Sequence, residues 1–393
     1  MINIINVFVI PFLFALIGSS LFVAIPLFIL KLGVTNPFML AMAGVAFQVC
    51  YIPLCVLHSI FSKHINRRKS LLIVSAIYPI IILGFILTHE IFAMYFLCAL
   101  LGITLSMFWP TYETHLSVNL DQYRATKNLQ GFNLGWSSGS VLGCVLGGIL
   151  FSINVKAVFY FDFIVSLIAI YLIFRYVREN FIGRRNSVPV KQENSPETFL
   201  RKTHHLKQFL VLGWMATFCV WFSIGIIVWL FPKFATDVGM SASTIGFLRA
   251  TLGLFEAVVF FLLGLNHRWQ YSFSNLVIYE FMLIFGFVIL MMTSTVAWWA
   301  LSFAIIGISA AFVYSSSLFY SSQAKTKKSE KTGFHEAIVA SGALFGIFFG
   351  GIISGTFSAA GAYSMCIGLM LLCIILQIFL FRYKNHKMEK SYG

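Results

Sequence analysis

Two stretches of this chain, Phe281 to Ala324 and Ala337 to Phe381, carry no charged side chain. A helix crossing the hydrocarbon core of a bilayer needs about 20 apolar residues. Each stretch therefore holds most of two crossings joined by a short uncharged turn. Two further gaps, from the N-terminus to Lys31 and from Lys31 to Lys63, hold one crossing each. In hydrocarbon every backbone N–H and C=O must be paired within the protein, which leaves helices and closed barrels. The apolar runs are continuous rather than alternating, and that selects helices. Only 10% of residues are charged, against roughly 25% in a typical soluble domain.

The pattern predicts an all-α polytopic membrane protein with twelve spans, near residues 6–30, 36–60, 70–88, 91–113, 128–152, 156–177, 207–231, 243–265, 273–293, 295–320, 333–355 and 360–382. The first span is long and lacks a basic lead, so it reads as a retained helix and not a cleaved signal. With both termini cytoplasmic, 23 of the 27 lysines and arginines fall on one side, the bias that orients membrane proteins. A multi-pass protein of a bacterial cytoplasmic membrane is the expectation. Because the basic residues are spread over several loops, the +14 net charge reads as a topological signal and excludes a nucleic-acid partner. It also suits a modest attraction to anionic inner-leaflet lipid. All seven cysteines (50, 55, 98, 144, 219, 366 and 373) sit inside apolar spans without a CxxC pair, so neither disulfides nor a metal site is expected. No Walker A, GxGxxG or HExxH motif occurs, which argues against ATP drive, a nucleotide cofactor or metal chemistry.

The polar stretch Arg178–His205 has two prolines and many charges and reads as a linker. The expected organisation is a six-helix bundle over 1–177, a cytoplasmic linker over 178–206, a second six-helix bundle over 207–382 and a cytoplasmic tail over 383–393. The bundles repeat each other. Pro26 and Gly33 pair with Pro232 and Gly239 at an offset of 206 residues, and Gly102-Ile103 pairs with Gly307-Ile308 at 205. The ladder Gly139, Gly143, Gly147, Gly148 returns as Gly342, Gly346, Gly350, Gly351 at 203. On a helix such glycines share one stripe and admit a neighbouring backbone closely. Two parallel repeats imply pseudo-symmetry about an axis along the membrane normal.

With those landmarks the chain resembles a major facilitator superfamily transporter over nearly its whole length. The loop Ser59–Leu71 is similar to that family's motif A, G-x-L-x-D-R-x-G-R-R-x-x-L: Arg67, Arg68 and Leu71 match, while Ser59, Lys63 and Asn66 stand at the first glycine, the aspartate and the second glycine. Gly139–Gly148 resembles motif C of span 5, with Cys144 at its usual proline, and the arginine of motif B is absent from Phe92–Pro110. The resemblance implies two bundles that rock about a midplane site, with spans 1, 4, 7 and 10 lining a central cavity. It places the glycine ladders at or near the bundle interface.

Ionisable residues within spans are costly and are functional candidates by default. Glu256, in the middle of span 8 with Arg249 two turns away on the same face, is the candidate for proton coupling; a structural Arg–Glu pair is the plainer reading. Trp109, Tyr112 and Glu113 at the end of span 4, Trp221 in span 7, and Tyr314 and Ser316 in span 10 are the candidates to line the cavity. Asn133 and Glu336, just before the two glycine ladders, are candidates for gating, Glu336 with Lys331 as a possible ion-pair partner. Asp162 in span 6 and Glu280 in span 9 read as structural or lipid-facing. The expected function is secondary active transport of a small, uncharged or amphipathic organic solute by a monomer that works in the lipid bilayer and uses protons. A uniporter, a non-transporting receptor of the same fold and a lipid-modifying membrane enzyme are the alternatives, and the last lacks the clustered acids or histidines such an enzyme carries.

Overall fold

The computed structural model describes residues 5–61, 66–117, 122–182, 199–265, 269–322 and 328–392. A single π-helical turn, Ile5–Val9, runs into α1 (Ile10–Lys31). There follow α2 (Pro37–Phe61), α3 (Arg67–Leu87), α4 (Ile91–Ser117), α5 (Gln122–Ile153) and α6 (Ala157–Ile182). The second half comprises α7 (Phe199–Trp229), the short α8 (Phe231–Asp237), α9 (Ala242–Leu265), α10 (Phe273–Met292), α11 (Val296–Ser322) and α12 (Lys328–Tyr392). Eleven helices are long and apolar enough to cross a membrane, the last spanning Gly333–Tyr383. That last helix breaks at Phe357–Ser358, where Ser358 takes φ 62, so it supplies two crossings and the total is twelve.

The helices reach past the edges of the predicted spans. α6 continues to Ile182 and α7 starts at Phe199, leaving only 183–198 of the predicted linker outside the described residues. The tail is helical to Tyr392. Asn66, at the second glycine of motif A, caps α3 by accepting from the Lys69 amide at 3.2 Å. Arg68 is exposed and Leu71 fully buried. Lys63 and the side chain of Arg67 lie outside the described residues.

Alternation of direction gives the bundle two ends. The facing ends of α2 and α3, of α4 and α5, of α6 and α7, of α9 and α10 and of α11 and α12 share one with the start of α1 and the end of α12, here the linker end. The turns after α1, α3, α5, α8 and α10 and the break in α12 share the other, the far end. Exposed apolar side chains recur at helical spacing on α3 (Ile73, Ile77, Ile80, Leu83, Leu87), on α6 (Tyr160, Ile164, Leu167, Tyr171, Phe174) and on the second arm of α12 (Leu372, Ile375, Phe379). Such stripes belong against lipid, and they put these helices on the perimeter.

All but the last glycine of each ladder pack inside one half rather than at the joint between the halves. A Cβ on Gly139 or Gly143 would collide with the backbone carbonyl of Phe12 or Leu16 in α1, and one on Gly147 would stand 2.9 Å from Ser20 Cα. In the second half Gly342 and Gly346 press on the carbonyls of Phe218 and Phe222 in α7, and a Cβ on Gly350 would stand 2.7 Å from Ile226 Cγ1. These rungs hold α5 to α1 and α12 to α7 inside each half. Only the last glycine of each ladder turns the other way. Gly148 would meet Ala242 O at 2.5 Å and Gly246 Cα at 2.9 Å on α9, while Gly351 would meet Ala41 Cβ at 2.6 Å on α2.

The repeat extends to these details. Gly102 lies against Phe47 O and Gly307 against Leu252 O, the same approach 205 residues apart. Gly33 and Gly239 both take left-handed φ, 88° and 81°, a conformation glycine adopts without penalty. The halves differ at their prolines. Pro26 sits within an unbroken α1, whereas Pro232 lies in the first turn of the separate α8.

Gly143→Val places two methyl groups where Leu16 O lies. It should cost about 1–3 kcal/mol, as overpacking of a tight contact does, and lower the thermal unfolding midpoint of the detergent-solubilised protein. Gly355→Ala, where nothing stands within 4 Å, should leave the midpoint unchanged or raise it slightly.

Candidate functional site

The halves meet along α5–α9 and α2–α12, and the joint is tightest at the far end. Ser152 Oγ and Ser243 Oγ are 2.7 Å apart, and the Ser243 amide donates to Ser152 Oγ at 3.0 Å. On α7, Trp229 fills the space left by Gly44 of α2, where a Cβ would stand 2.7 Å from the indole. Phe22 of α1 packs edge-on against that indole at 5.8 Å and against Phe47 at 5.3 Å. Phe38 and Phe348 meet at 6.0 Å. Nearer the linker end, the α5–α9 seam is held by Trp136 against Phe260 at 6.4 Å. One turn before Trp136, Asn133 is exposed.

Glu256 and Arg249 both lie on α9 within electrostatic reach of Cys144 on α5, so their face looks toward the joint. They do not form a direct ion pair, and Glu256 has no cation within ion-pair distance among the described residues. Arg249 Nη1 instead donates to Val228 O at 3.1 Å. A buried guanidinium thus ties α9 to the end of α7, beside Trp229, by a charge-assisted bond. The predicted Arg–Glu fastening is replaced by an arginine–backbone one. Glu256 stays half-buried, within the field of Arg249 without contact.

A second polar cluster lies in the C-terminal half. Tyr314 on α11 donates from its hydroxyl to Glu336 Oε1 at 3.2 Å. His335 Nε2 is 3.8 Å from the same oxygen, and His335 Nδ1 is 2.9 Å from Ser317 Oγ. Trp221 of α7 and Phe260 of α9 close on the Tyr314 ring at 6.1 and 6.2 Å. Trp221, Tyr314 and Glu336 are therefore brought together, on three helices, with Phe260 linking them to the α5–α9 seam. Glu336 finds its partners in Tyr314 and His335, not in Lys331. Ser316, two residues on from Tyr314 and so on another face of α11, is buried with no hydrogen-bond partner for its hydroxyl.

The span 4 candidates separate from this cluster. Tyr112 is fully buried in the N-terminal half, stacked on Phe108, and its hydroxyl donates to Asn6 O in the π turn. It is a core residue and not a cavity residue. Trp109 is partly buried against Phe14, Phe108 and Phe132. The side chain of Glu113 lies outside the described residues.

Asp162 and Glu280 follow the structural one of their two expected readings. Both are fully buried, so neither faces lipid. Ser20 Oγ stands 2.7 Å from both oxygens of Asp162. Gln377 Nε2 donates to Glu280 Oε1 at 2.7 Å and to Leu212 O at 3.1 Å. Gln377 is uncharged inside the longest charge-free stretch and Ser20 is one serine in an apolar run. A reading that tracks charge passes over both, although a glutamine deep in a span was a visible signal.

Twelve crossings, two repeated halves and a joint that combines tight seams with polar clusters define a polytopic transporter fold. The model of the Major Facilitator Superfamily matches residues 7–332, and the chain belongs to that family. It is an integral multi-pass membrane protein and a transporter. Among solved structures it is similar to the nucleoside transporter NupG, at 12% identity over 98% of this chain and all of that one, with TM-score 0.69. A bacterial homolog of the human lysosomal transporter Spinster, in an inward-facing and occupied conformation, is 14% identical over 97% of this chain and 96% of that one, with TM-score 0.71. The human organic anion transporter MFSD10 is 12% identical over 95% and 98%, with TM-score 0.64. At these identities the likeness is one of fold. No curated protein matches the sequence.

Replacing Ser152 and Ser243 together by cysteine should give a disulfide across the joint under mild oxidation, since their side-chain oxygens already approach within bonding range. Neither single variant should cross-link, and gel mobility after specific cleavage of the linker reads the result.

Proposed function

We propose that this transporter moves a small organic solute by alternating access, with the two halves rocking about a site near the membrane midplane. The observation that carries the reading is the pairing of Gly148 with Gly246 and of Gly351 with Ala41. These two contacts are related by the internal repeat and lie at the far end. Within each half the other rungs lock the helices into one body, so motion is directed to the joint. The far end is then the closed end of this conformation, and separating those two contacts would open it.

The lysine and arginine bias supports an orientation with both termini cytoplasmic and the far end outside, in a bacterial cytoplasmic membrane. The site we favour is the Trp221–Phe260–Tyr314 aromatic cluster with Glu336 at its edge. Aromatic faces with few fixed charges suit an uncharged or amphipathic organic molecule rather than a multiply charged anion. The protein is read as a monomer, since nothing in this mechanism needs a second copy. Glu256, half-buried beside the joint, is the group we assign to proton coupling. Its place in the field of Arg249 favours a second reading, a facilitator in which the two charges only set the electrostatics of the seam.

A thermal-shift screen against nucleosides, sugars, amino acids, peptides and amphipathic drugs would supply a ligand for proteoliposome assays. Glu256→Gln should then abolish accumulation driven by a pH gradient while leaving counterflow exchange intact. Full gradient-driven accumulation in that variant would establish the facilitator reading instead. Trp221→Ala should weaken ligand binding by about tenfold or more, within the ~1–3 kcal/mol that an aromatic stacking contact is worth, as read by the ligand-induced thermal shift.

A further inference from the structure

We infer that Asp162 is a proton-binding site, separate from Glu256, whose occupancy is tied to closure of the far end. Hydrogen counting at Ser20 carries this. Ser20 Oγ lies 2.9 Å from Ile17 O and 2.7 Å from each carboxyl oxygen of Asp162. A hydroxyl has one proton to give, and with an ionised carboxylate three acceptors would share it. With a neutral acid two protons serve the three contacts: Asp162 donates its own proton from one carboxyl oxygen to Ser20 Oγ, Ser20 donates to Ile17 O, and the second carboxyl oxygen carries no charge that needs a donor. The contact distances are those of O–H···O bonds.

Among the described residues the surroundings supply no counter-charge. Asp162 and Ser20 are fully buried. From α3 the group beside Asp162 is Tyr78, whose hydroxyl is buried without a hydrogen-bond partner and lies next to α1 at Gly18. From α5 the neighbour of Ser20 is Gly147. On α6 itself the nearest cation in sequence, Lys156, is held at the far end by Ile86 O at 2.8 Å and His89 Nε2 at 3.1 Å. An ionised carboxylate there would be costly in the membrane interior. Loss of the proton to water would turn the Ser20 hydroxyl from Ile17 O to the carboxylate and leave the Tyr78 hydroxyl as the remaining local donor. Glu280 differs in kind, because the Gln377 amide donates to its Oε1 while its Oε2 is buried without a partner, so no hydroxyl there couples it to a neighbouring backbone.

The mechanical link runs through the ladder. Ser20 packs on Gly147, and the next residue, Gly148, is the one that meets Gly246 of the other half. With Asp162 fully buried, its proton exchanges with water only when α1 moves relative to α5 and α6. That motion displaces the rung beside the interhalf contact. Protonated Asp162 therefore goes with a closed far end.

Two substrate-free measurements on the full-length protein in lipid test this, so they stand apart from the outcome of any transport assay. Infrared pH-difference spectra should contain a carboxylic-acid carbonyl band that disappears at high pH, is absent in Asp162→Asn, persists in Glu256→Gln, and shifts in Ser20→Ala. Measured against the same cysteine pair in an Asp162→Asn background, which carries the thiol chemistry's own pH dependence, the Ser152→Cys, Ser243→Cys pair should cross-link several-fold faster at low pH, and the two rates should converge at high pH. If Asp162→Asn does not fold, the Ser20→Ala band shift and a flattened cross-linking profile in that background carry the test. A pH-difference spectrum that loses no carbonyl component in Asp162→Asn, or one whose Asp162 component is unmoved in Ser20→Ala, would overturn the assignment. So would a cross-linking profile that neither variant alters.

Discussion

Helices in a bilayer have no hydrophobic effect to press them together, because lipid is as apolar as their own side chains. What remains is close packing, and in this protein close packing means backbone against backbone through glycine. Gly139 and Gly143 lie on carbonyls of α1, and Gly342 and Gly346 on those of α7. Each rung removes a side chain so that dispersion contacts act over the shortest separation two helices allow. Everything else about the two halves, including where their polar groups meet, depends on those two helix pairs being held as units.

Stiffness inside each half is what makes the joint between them meaningful. The last glycine of each ladder faces the other way from its predecessors, since adjacent residues on a helix point about 100° apart. A single helix thereby contacts its own half with one stripe and the opposite half with the next residue. Trp229 seated on Gly44 adds an aromatic tie at the same end, while Arg249 reaching Val228 O fixes α9 to α7 beside it within the second half. None of these ties is covalent and each is small. A joint of this kind can close firmly and still part.

Polar groups are distributed according to that plan. Tyr314, Glu336, His335 and Ser317 form a connected set on α11 and α12, near the aromatic faces of Trp221 and Phe260. Asp162 and Glu280, by contrast, sit inside their own halves, each bonded to a neighbour from another helix of that half. The first set borders the seam and the second lies within each body.

The sequence by itself determined the crossing number, the repeat and the family. Charge-free length and continuous apolarity are one-dimensional properties, and glycine or proline landmarks keep their register without reference to a neighbour. Glu256, Trp221, Tyr314 and Glu336 were legible as well, because charge and aromaticity inside a span stand out. Which way a residue faces was not legible. Tyr112 looked like a cavity residue and proved to be core; Asp162 and Glu280 stood open between structural and lipid-facing, and their burial decides for structural; Arg249 looked paired with Glu256 and holds a carbonyl instead. In a span that is apolar all round, no hydrophobic stripe marks the inner face. Only the packing of other helices against it decides whether a side chain meets lipid, a neighbour or the joint.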